Sequence, residues 1–184
     1  MQLTGEQLKV LADDPRVAAI IPDRPVESTG ATASGGGYSN SQLWPVTVQA
    51  PQIWAQDGSS ADGDSPPAIA VIDSGVDADV PALSGRVSAQ VNLYTGDGPN
   101  HPQDGRGHGT LVAGLAAGAD PTHAGVDPRA KIVSVDVLDD NGSGYTSDVI
   151  AACDWVLQHA DEDNIRVVNL SLHGTQNSSF CSIH

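Results

Sequence analysis

The sequence predicts an α/β fold, a doubly wound and mostly parallel sheet covered by helices on both faces in three layers. Short runs of apolar and β-branched residues alternate along the chain with segments of helical pattern. Strands of this kind are typical of parallel sheets, where crossover helices bury both faces. The predicted strands are 68–72, 86–92, 131–138 and 165–172, and the predicted helices between them are 111–117 and 147–159.

The first 26 residues predict a small separate unit. Residues 5–14 carry apolar side chains at helical spacing, and Pro15 ends the pattern. The apolar run 17–21 predicts a strand. Residues 27–42 are mostly Ser, Thr, Gly and Asn, which predicts a flexible linker open to proteolysis.

The second unit, 43–184, opens with a short helix around Trp54 and continues into the predicted sheet. Its longest helix, 147–159, has Thr146 or Ser147 as a possible N-cap. Cys153 falls on the apolar face of this helix, which predicts a buried, inert thiol.

Charge and composition exclude several functional classes. The formal net charge is −15, whereas a nucleic-acid binder needs a basic face, so we expect no nucleic-acid partner. There is no run of eighteen apolar residues, so we expect no membrane span. The N-terminus has no visible signal peptide, and two cysteines do not make a disulfide framework. An acidic surface suits a secreted or a salt-adapted protein, and ordinary surface composition explains it equally well.

Asp73 follows four apolar residues and precedes a Ser-Gly turn, so it lies where a buried strand ends. There a carboxylate can accept the Nδ1–H of an imidazole and orient the ring. A turn aspartate is the plainer interpretation of this residue alone. The block 107–114 supplies the imidazole, because His108 opens a helix of small residues that can approach the sheet closely. An acid at a strand end followed by such a histidine indicates two members of an Asp-His-Ser triad.

Two glycine-containing segments follow strands and could hold an extended peptide by adding it to their edges. Either segment alone could be an ordinary turn. The predicted substrate-binding residues are Gly142, Ser143 and Gly144 on one side, and Ser171, Leu172, His173 and Gly174 on the other.

Two possible metal sites are rejected. The spacing of Asp139, Asn141 and Ser143 is like that of a calcium loop, but the twelfth position is Ile150 and not Glu. The histidines His101, His108 and His123 lack helical metal-ligand spacing, and His101 and His123 lie in loops flanked by prolines. We therefore predict no metal.

Together these blocks resemble the subtilisin-like serine peptidases, or subtilases, over nearly the whole chain to about residue 180. Asp104 matches an acidic residue often found before the histidine. His173 stands where glycine is usual, and Ala82 replaces a calcium ligand. The matching segments are Asp73-Ser74-Gly75, 107–114, 125–130, Gly142-Ser143-Gly144 and Asn169-Leu170-Ser171-Leu172.

The resemblance implies a secreted endopeptidase that hydrolyses peptide or protein substrates through an acyl-serine, without a cofactor. Asp73 would orient His108, and His108 would act as general base and then acid. Residues 1–26 look like the tail of the family's pro-segment, an intramolecular inhibitor. The serine motif and the oxyanion-hole asparagine motif are missing from the 184 residues. We therefore expect an inactive fragment, with a non-catalytic peptide-binding pseudo-protease or a pseudogene product as the alternative.

Overall fold

The computed structural model describes residues 3–28, 47–57, 66–101, 103–120 and 123–174. Most of the predicted linker and the region of Cys181 lie outside these residues. In chain order the elements are α1 (Gly5–Ala12), β1 (Pro25–Ser28), α2 (Ala50–Asp57), β2 (Ala68–Asp73), β3 (Val87–Asn92), α3 (His108–Ala117), β4 (Ala119–Asp120), β5 (His123–Ala124), β6 (Lys131–Asp136), β7 (Ser143–Tyr145), α4 (Thr146–His159), β8 (Ile165–Leu170) and β9 (Leu172–Gly174).

The main sheet has four strands in the order β3-β6-β2-β8, and every pairing is parallel. Each predicted strand of the second unit is present, with bounds that differ by one to two residues. The order places β2 between β6 and β8, although β2 comes first in the chain. The predicted doubly wound α/β architecture is confirmed.

Helices α3 and α4 cover opposite faces of this sheet. Ala113 and Ala117 of α3 pack with Val71 and Ile132 in one core. A second core, around Ile72, receives α4. Side chains of one strand therefore alternate between the two cores, as the pleat requires. No helix within the described ranges is long and apolar enough to cross a membrane.

Three local predictions are wrong. Residues 17–21 form no strand, because they find no neighbouring strand to pair with. The cap of α4 is Tyr145 without a side-chain bond, since Thr146 is already helical. Cys153 is exposed, because the face of α4 that carries it does not meet the sheet.

The N-terminal segment contributes a strand that the sequence pattern does not indicate. β1 lies between β7 and β9 and pairs antiparallel with both. Residues Glu27 and Ser28, placed in the linker by composition, belong to this strand. Backbone pairing with two distant edges, and not side-chain pattern, makes β1 a strand. Helix α1 has a complete capping box at Thr4 but buries no residue.

Candidate active site

The predicted acid and histidine meet at the C-terminal end of β2. His108 Nδ1 lies 2.7 Å from Asp73 Oδ1. The Asp73 side chain is 0% exposed and that of His108 is 13% exposed. A buried carboxylate that accepts Nδ1–H leaves Nε2 as the basic nitrogen of the ring. The arrangement can therefore hold an imidazole in one tautomer and stabilise its protonated form.

Gly109 allows α3 to come this close. A Cβ at this position would collide with the carbonyl oxygen of Gly75 and would lie 3.1 Å from Asp73 Cβ. Any larger residue would push the helix away from the sheet and lengthen the bond between His108 and Asp73.

Asp104 holds the loop that leads into α3. Its Oδ1 accepts from Ser74 Oγ at 3.0 Å and from the Gly107 N–H at 2.7 Å. Its Oδ2 accepts from the Thr110 N–H at 2.8 Å and from the Thr110 hydroxyl. One carboxylate thereby ties the turn after β2 to the first turn of α3. It fixes the position of His108 through the loop and the first turn of α3.

The surroundings of Asp73 act on its pKa in opposite directions. Burial raises the pKa of Asp73, because water cannot solvate the charged form. Hydrogen bonds from His108 and from the Ser74 N–H, at 2.8 Å, lower it. All of these bonds reach Oδ1, and Oδ2 is buried without a partner among the described residues. The groups that stabilise the charged form of Asp73 therefore all contact Oδ1, the oxygen that faces His108.

The two predicted peptide-binding edges lie on either side of β1. Ser143 and Gly144 pair with Glu27 and Val26, and the carbonyl of Gly142 accepts from the Ser28 N–H at 3.1 Å. On the other side, Leu172, His173 and Gly174 pair with Ser28, Glu27 and Val26 respectively. Ser171 is outside this ladder, and its hydroxyl accepts from Asn169 at 3.0 Å. We call the space between β7 and β9 the groove.

Asp139 shapes the Gly142 edge through hydrogen bonds to the backbone. Its Oδ1 accepts from the backbone N–H groups of Asn141 and Ser143, both at 2.9 Å. The carboxylate therefore fixes the turn that leads into β7. No group of three His, Cys, Asp or Glu side chains within the described part of the chain could hold a metal ion.

A buried acid, Asp136, lies beside Asp73 at the ends of adjacent strands. Its Oδ2 accepts from Asn100 at 2.9 Å, and its Oδ1 accepts from the Leu138 N–H at 3.2 Å. Burial raises the pKa of Asp136 to about 6, although the Asn100 bond opposes the rise. Asn100 also donates to the Leu138 carbonyl at 2.8 Å, so it links the loop before α3 to the groove edge.

The N-terminal segment makes three contacts with the second unit. Val26 is 8% exposed and belongs to the core that α4 covers. Asp23 accepts from the Ser147 N–H at 2.8 Å and from its hydroxyl, so it caps α4 from outside the helix. The Arg24 carbonyl accepts from the Thr146 N–H at 2.8 Å. Sequence reasoning missed this cap because the acceptor lies more than a hundred residues from the helix.

Sequence reasoning also missed Arg106, which lies at the rim of the groove. Its Nε donates to Ser28 Oγ at 2.9 Å, and its Nη1 donates to the Asn141 carbonyl at 2.7 Å. The chain has only 8 Lys and Arg residues against 23 Asp and Glu. A basic residue two positions before His108 was the signal that could have identified it.

Comparisons with known proteins agree on one family. Residues 64–182 match the profile of the subtilase family. A subtilisin-like protease of Coccidioides posadasii is 37% identical over 171 residues, covering 91% of this chain and 41% of that protein. Thermitase of Thermoactinomyces vulgaris is 36% identical over 146 residues, covering 77% and 48%. Subtilisin-like protease 1 of Arthroderma otae is 34% identical over 179 residues, covering 95% and 35%. The chain spans less than half the length of these relatives.

Proposed function

Because the chain belongs to the subtilase family, we propose that it carries the N-terminal part of a serine endopeptidase. The observation that supports this most directly is the 2.7 Å bond between His108 Nδ1 and Asp73 Oδ1. It lies at the C-terminal strand ends, beside a groove whose two edges can pair with an extended chain. This is where active sites of open α/β sheets are found.

In the proposed reaction a serine hydroxyl attacks the peptide carbonyl while His108 removes its proton. His108 then gives that proton to the leaving amine, and Asp73 stabilises the imidazolium meanwhile. Water releases the acyl group in the same manner. The printed sequence has no Gly-Thr-Ser block, so we propose that residues beyond it supply the nucleophile. The 184-residue chain alone would then be inactive.

We further propose that residues up to Ser28 are the tail of a pro-segment, which occupies the groove as a substrate would. The antiparallel pairing of β1 with β7 and β9 supports this, as does the capping of α4 by Asp23. An extended peptide bound by strand addition uses the same backbone bonds. Cleavage would follow β1 in the chain, and the mature enzyme would act outside the cell on peptides or proteins.

The experiment is to sequence the gene downstream of codon 184 and to express both the printed chain and any longer product. A fluorophosphonate probe should label one serine of the longer product and none of the printed chain. The longer product should also hydrolyse a peptide substrate. Labelling of any serine in the printed chain, or a longer product with a Gly-Thr-Ser block that is neither labelled nor active, would contradict the proposal.

A second function, a non-catalytic peptide-binding module, is favoured by one observation. Both groove edges pair with an extended strand of the printed chain itself. A stop codon directly after position 184, together with retained binding of β1, would favour this function over catalysis.

A further inference from the structure

Ser28 is the last residue of β1, and its side chain faces inward. Val26 and Ser28 are the buried residues of the strand, whereas Pro25 and Glu27 are exposed. Ser28 Oγ accepts a hydrogen bond from Arg106 Nε at 2.9 Å. Among the described residues, the charged group that the Ser28 side chain contacts by a hydrogen bond is therefore this guanidinium.

The guanidinium of Arg106 is held in place from two sides. Its Nη1 donates to the Asn141 carbonyl at 2.7 Å, and its backbone N–H donates to Asp104 Oδ1 at 3.2 Å. Gly142 has φ +82°, and a Cβ there would collide with the Arg106 side chain. The absence of a side chain at Gly142 thus leaves the space in which the guanidinium lies. Arg106 joins the loop before His108 to the groove edge.

Within the described ranges no carboxylate forms an ion pair with this guanidinium. Asp104, the nearest acid in sequence, accepts hydrogen bonds from Ser74, Gly107, Thr110 and the Arg106 backbone N–H, and none from the guanidinium. The hydrogen bonds of the described residues leave Nη2 without an acceptor. A hydroxyl uses only one donor of a group that can bind a carboxylate through two.

We propose that Arg106 is a specificity-determining residue, which selects an acidic side chain, Asp foremost, at the peptide position that Ser28 occupies. An aspartate there would extend its two oxygens toward Nε and Nη2. A lysine or arginine there would place like charges together in a half-buried site. This inference rests on the proposed function in one respect, namely that β1 marks the path of the substrate.

The test compares Ser28→Asp with Ser28→Lys in the full printed chain, in the Arg106 background and in Arg106→Gln. The readout is hydrogen-exchange protection of the β1 amides, with the β2 and β6 amides as the measure of intact folding. With Arg106, we expect about fivefold more protection for Ser28→Asp and about fivefold less for Ser28→Lys than for wild type. In Arg106→Gln the advantage of Ser28→Asp over Ser28→Lys should be lost, because the guanidinium that favours the acid is gone.

Glu27 provides the matched control. Its side chain is on the opposite, exposed face of β1, so Glu27→Lys changes the charge of the same strand away from Arg106. The protection of the β1 amides in Glu27→Lys should be the same in the Arg106 and Arg106→Gln backgrounds. Should Arg106→Gln fail to fold, Arg106→Lys is the second variant, because it keeps the charge without the planar guanidinium. In that background the β1 amides of Ser28→Asp should still be more protected than those of Ser28→Lys, by a smaller factor.

The outcomes separate the two proposals. Protected β1 amides in wild type with equal protection in Ser28→Asp and Ser28→Lys would overturn the role of Arg106 alone. Unprotected β1 amides in wild type, while β2 and β6 stay protected, would overturn the groove-bound strand and the role of Arg106 with it.

Discussion

Two strands of the same parallel sheet, β2 and β8, have very different surroundings. β2 has neighbours on both sides, and all its residues but Ile69 are buried. β8 has β2 as its only neighbour in the described sheet, and Val167, Val168 and Leu170 are 55%, 41% and 45% exposed. Asp73 ends the first strand, whereas β9, one edge of the groove, follows the second.

The difference shows that the two parts of the site differ in how well the strand beside them is buried. The acid and the histidine lie at the end of a central strand with helices on both faces of the sheet. The Leu172–Gly174 edge follows a strand whose apolar side chains are exposed. Such a surface needs a partner, or it favours association between molecules. In a longer product, we expect the residues that follow to cover β8.

The largest effect should come from the end of β2. In an active longer product, Asp73→Asn and His108→Ala should each lower kcat on the order of 10⁴-fold, by analogy with other triads. KM should change little, because neither side chain belongs to the strand pairings of the groove. Kinetics on a peptide substrate measure both constants. An Asp73→Asn enzyme with near-normal kcat would show that another group orients the imidazole.

The pH dependence of stability at Asp136 measures how much the burial of a charged carboxylate at the sheet centre lowers the free energy of unfolding. Its pKa of about 6 lies above the ordinary value of 3.8, so the folded state binds the extra proton between about pH 4 and 6. Stability from this group is therefore lost as pH rises through that window. Asp136→Asn should raise the free energy of unfolding above pH 6 by up to about 3 kcal/mol and change little below pH 4.

Urea unfolding of wild type and Asp136→Asn across pH 4 to 8 gives the difference directly. Only the difference between the two proteins is informative, because other carboxylates titrate in the same range. A constant difference at every pH would indicate that Asp136 acts through packing or hydrogen bonding, and not through its charge.

A matched pair of valines compares the two strands directly. Val71 in β2 is 0% exposed and Val167 in β8 is 55% exposed. Val71→Ala should cost about 2 kcal/mol of unfolding free energy, since it removes buried methyl groups and leaves a cavity. Val167→Ala should cost less than about 0.5 kcal/mol. Equal losses would mean that β8 is covered in solution, for instance by a second copy of the chain.

The smallest effect concerns α4, the helix that precedes β8 in the chain. Cys153 is exposed, so a thiol reagent should modify it within about twofold of the rate for the unfolded chain. The mass of the modified peptide identifies the site, and Cys153→Ser serves as the control. Strong protection of Cys153 would support the buried thiol that the apolar pattern predicts and would show that this face is occupied.

The centre of the fold could be predicted from sequence because its signals are local. Each of three elements is indicated by a pattern no more than ten residues long: an apolar run for β2 and for β6, and a series of small residues for α3. The placement of Asp73 and His108 at facing ends follows from the order of those elements. These predictions agree with the structure because burial on both faces imposes a strong pattern on the residues themselves.

The parts that could not be predicted depend on contacts between distant residues. Residues 17–21 have a better strand pattern than β1, yet β1 is the strand, because the edges at Gly144 and Gly174 pair with it. The cap from Asp23 and the contact from Arg106 arise in the same way. Neither contact is indicated by a pattern in the neighbouring sequence, because each forms between segments that are far apart in the chain.

The position of β2 in the sheet also has a consequence for synthesis on the ribosome. β2 emerges first among the four parallel strands, but its neighbours β6 and β8 come much later in the chain. Until β8 has left the exit tunnel, the strand that ends in Asp73 cannot acquire its second neighbour. Such non-local pairings close slowly. During that interval the nascent chain exposes the apolar residues of β2, so chaperones that bind extended apolar segments should recognise this strand first.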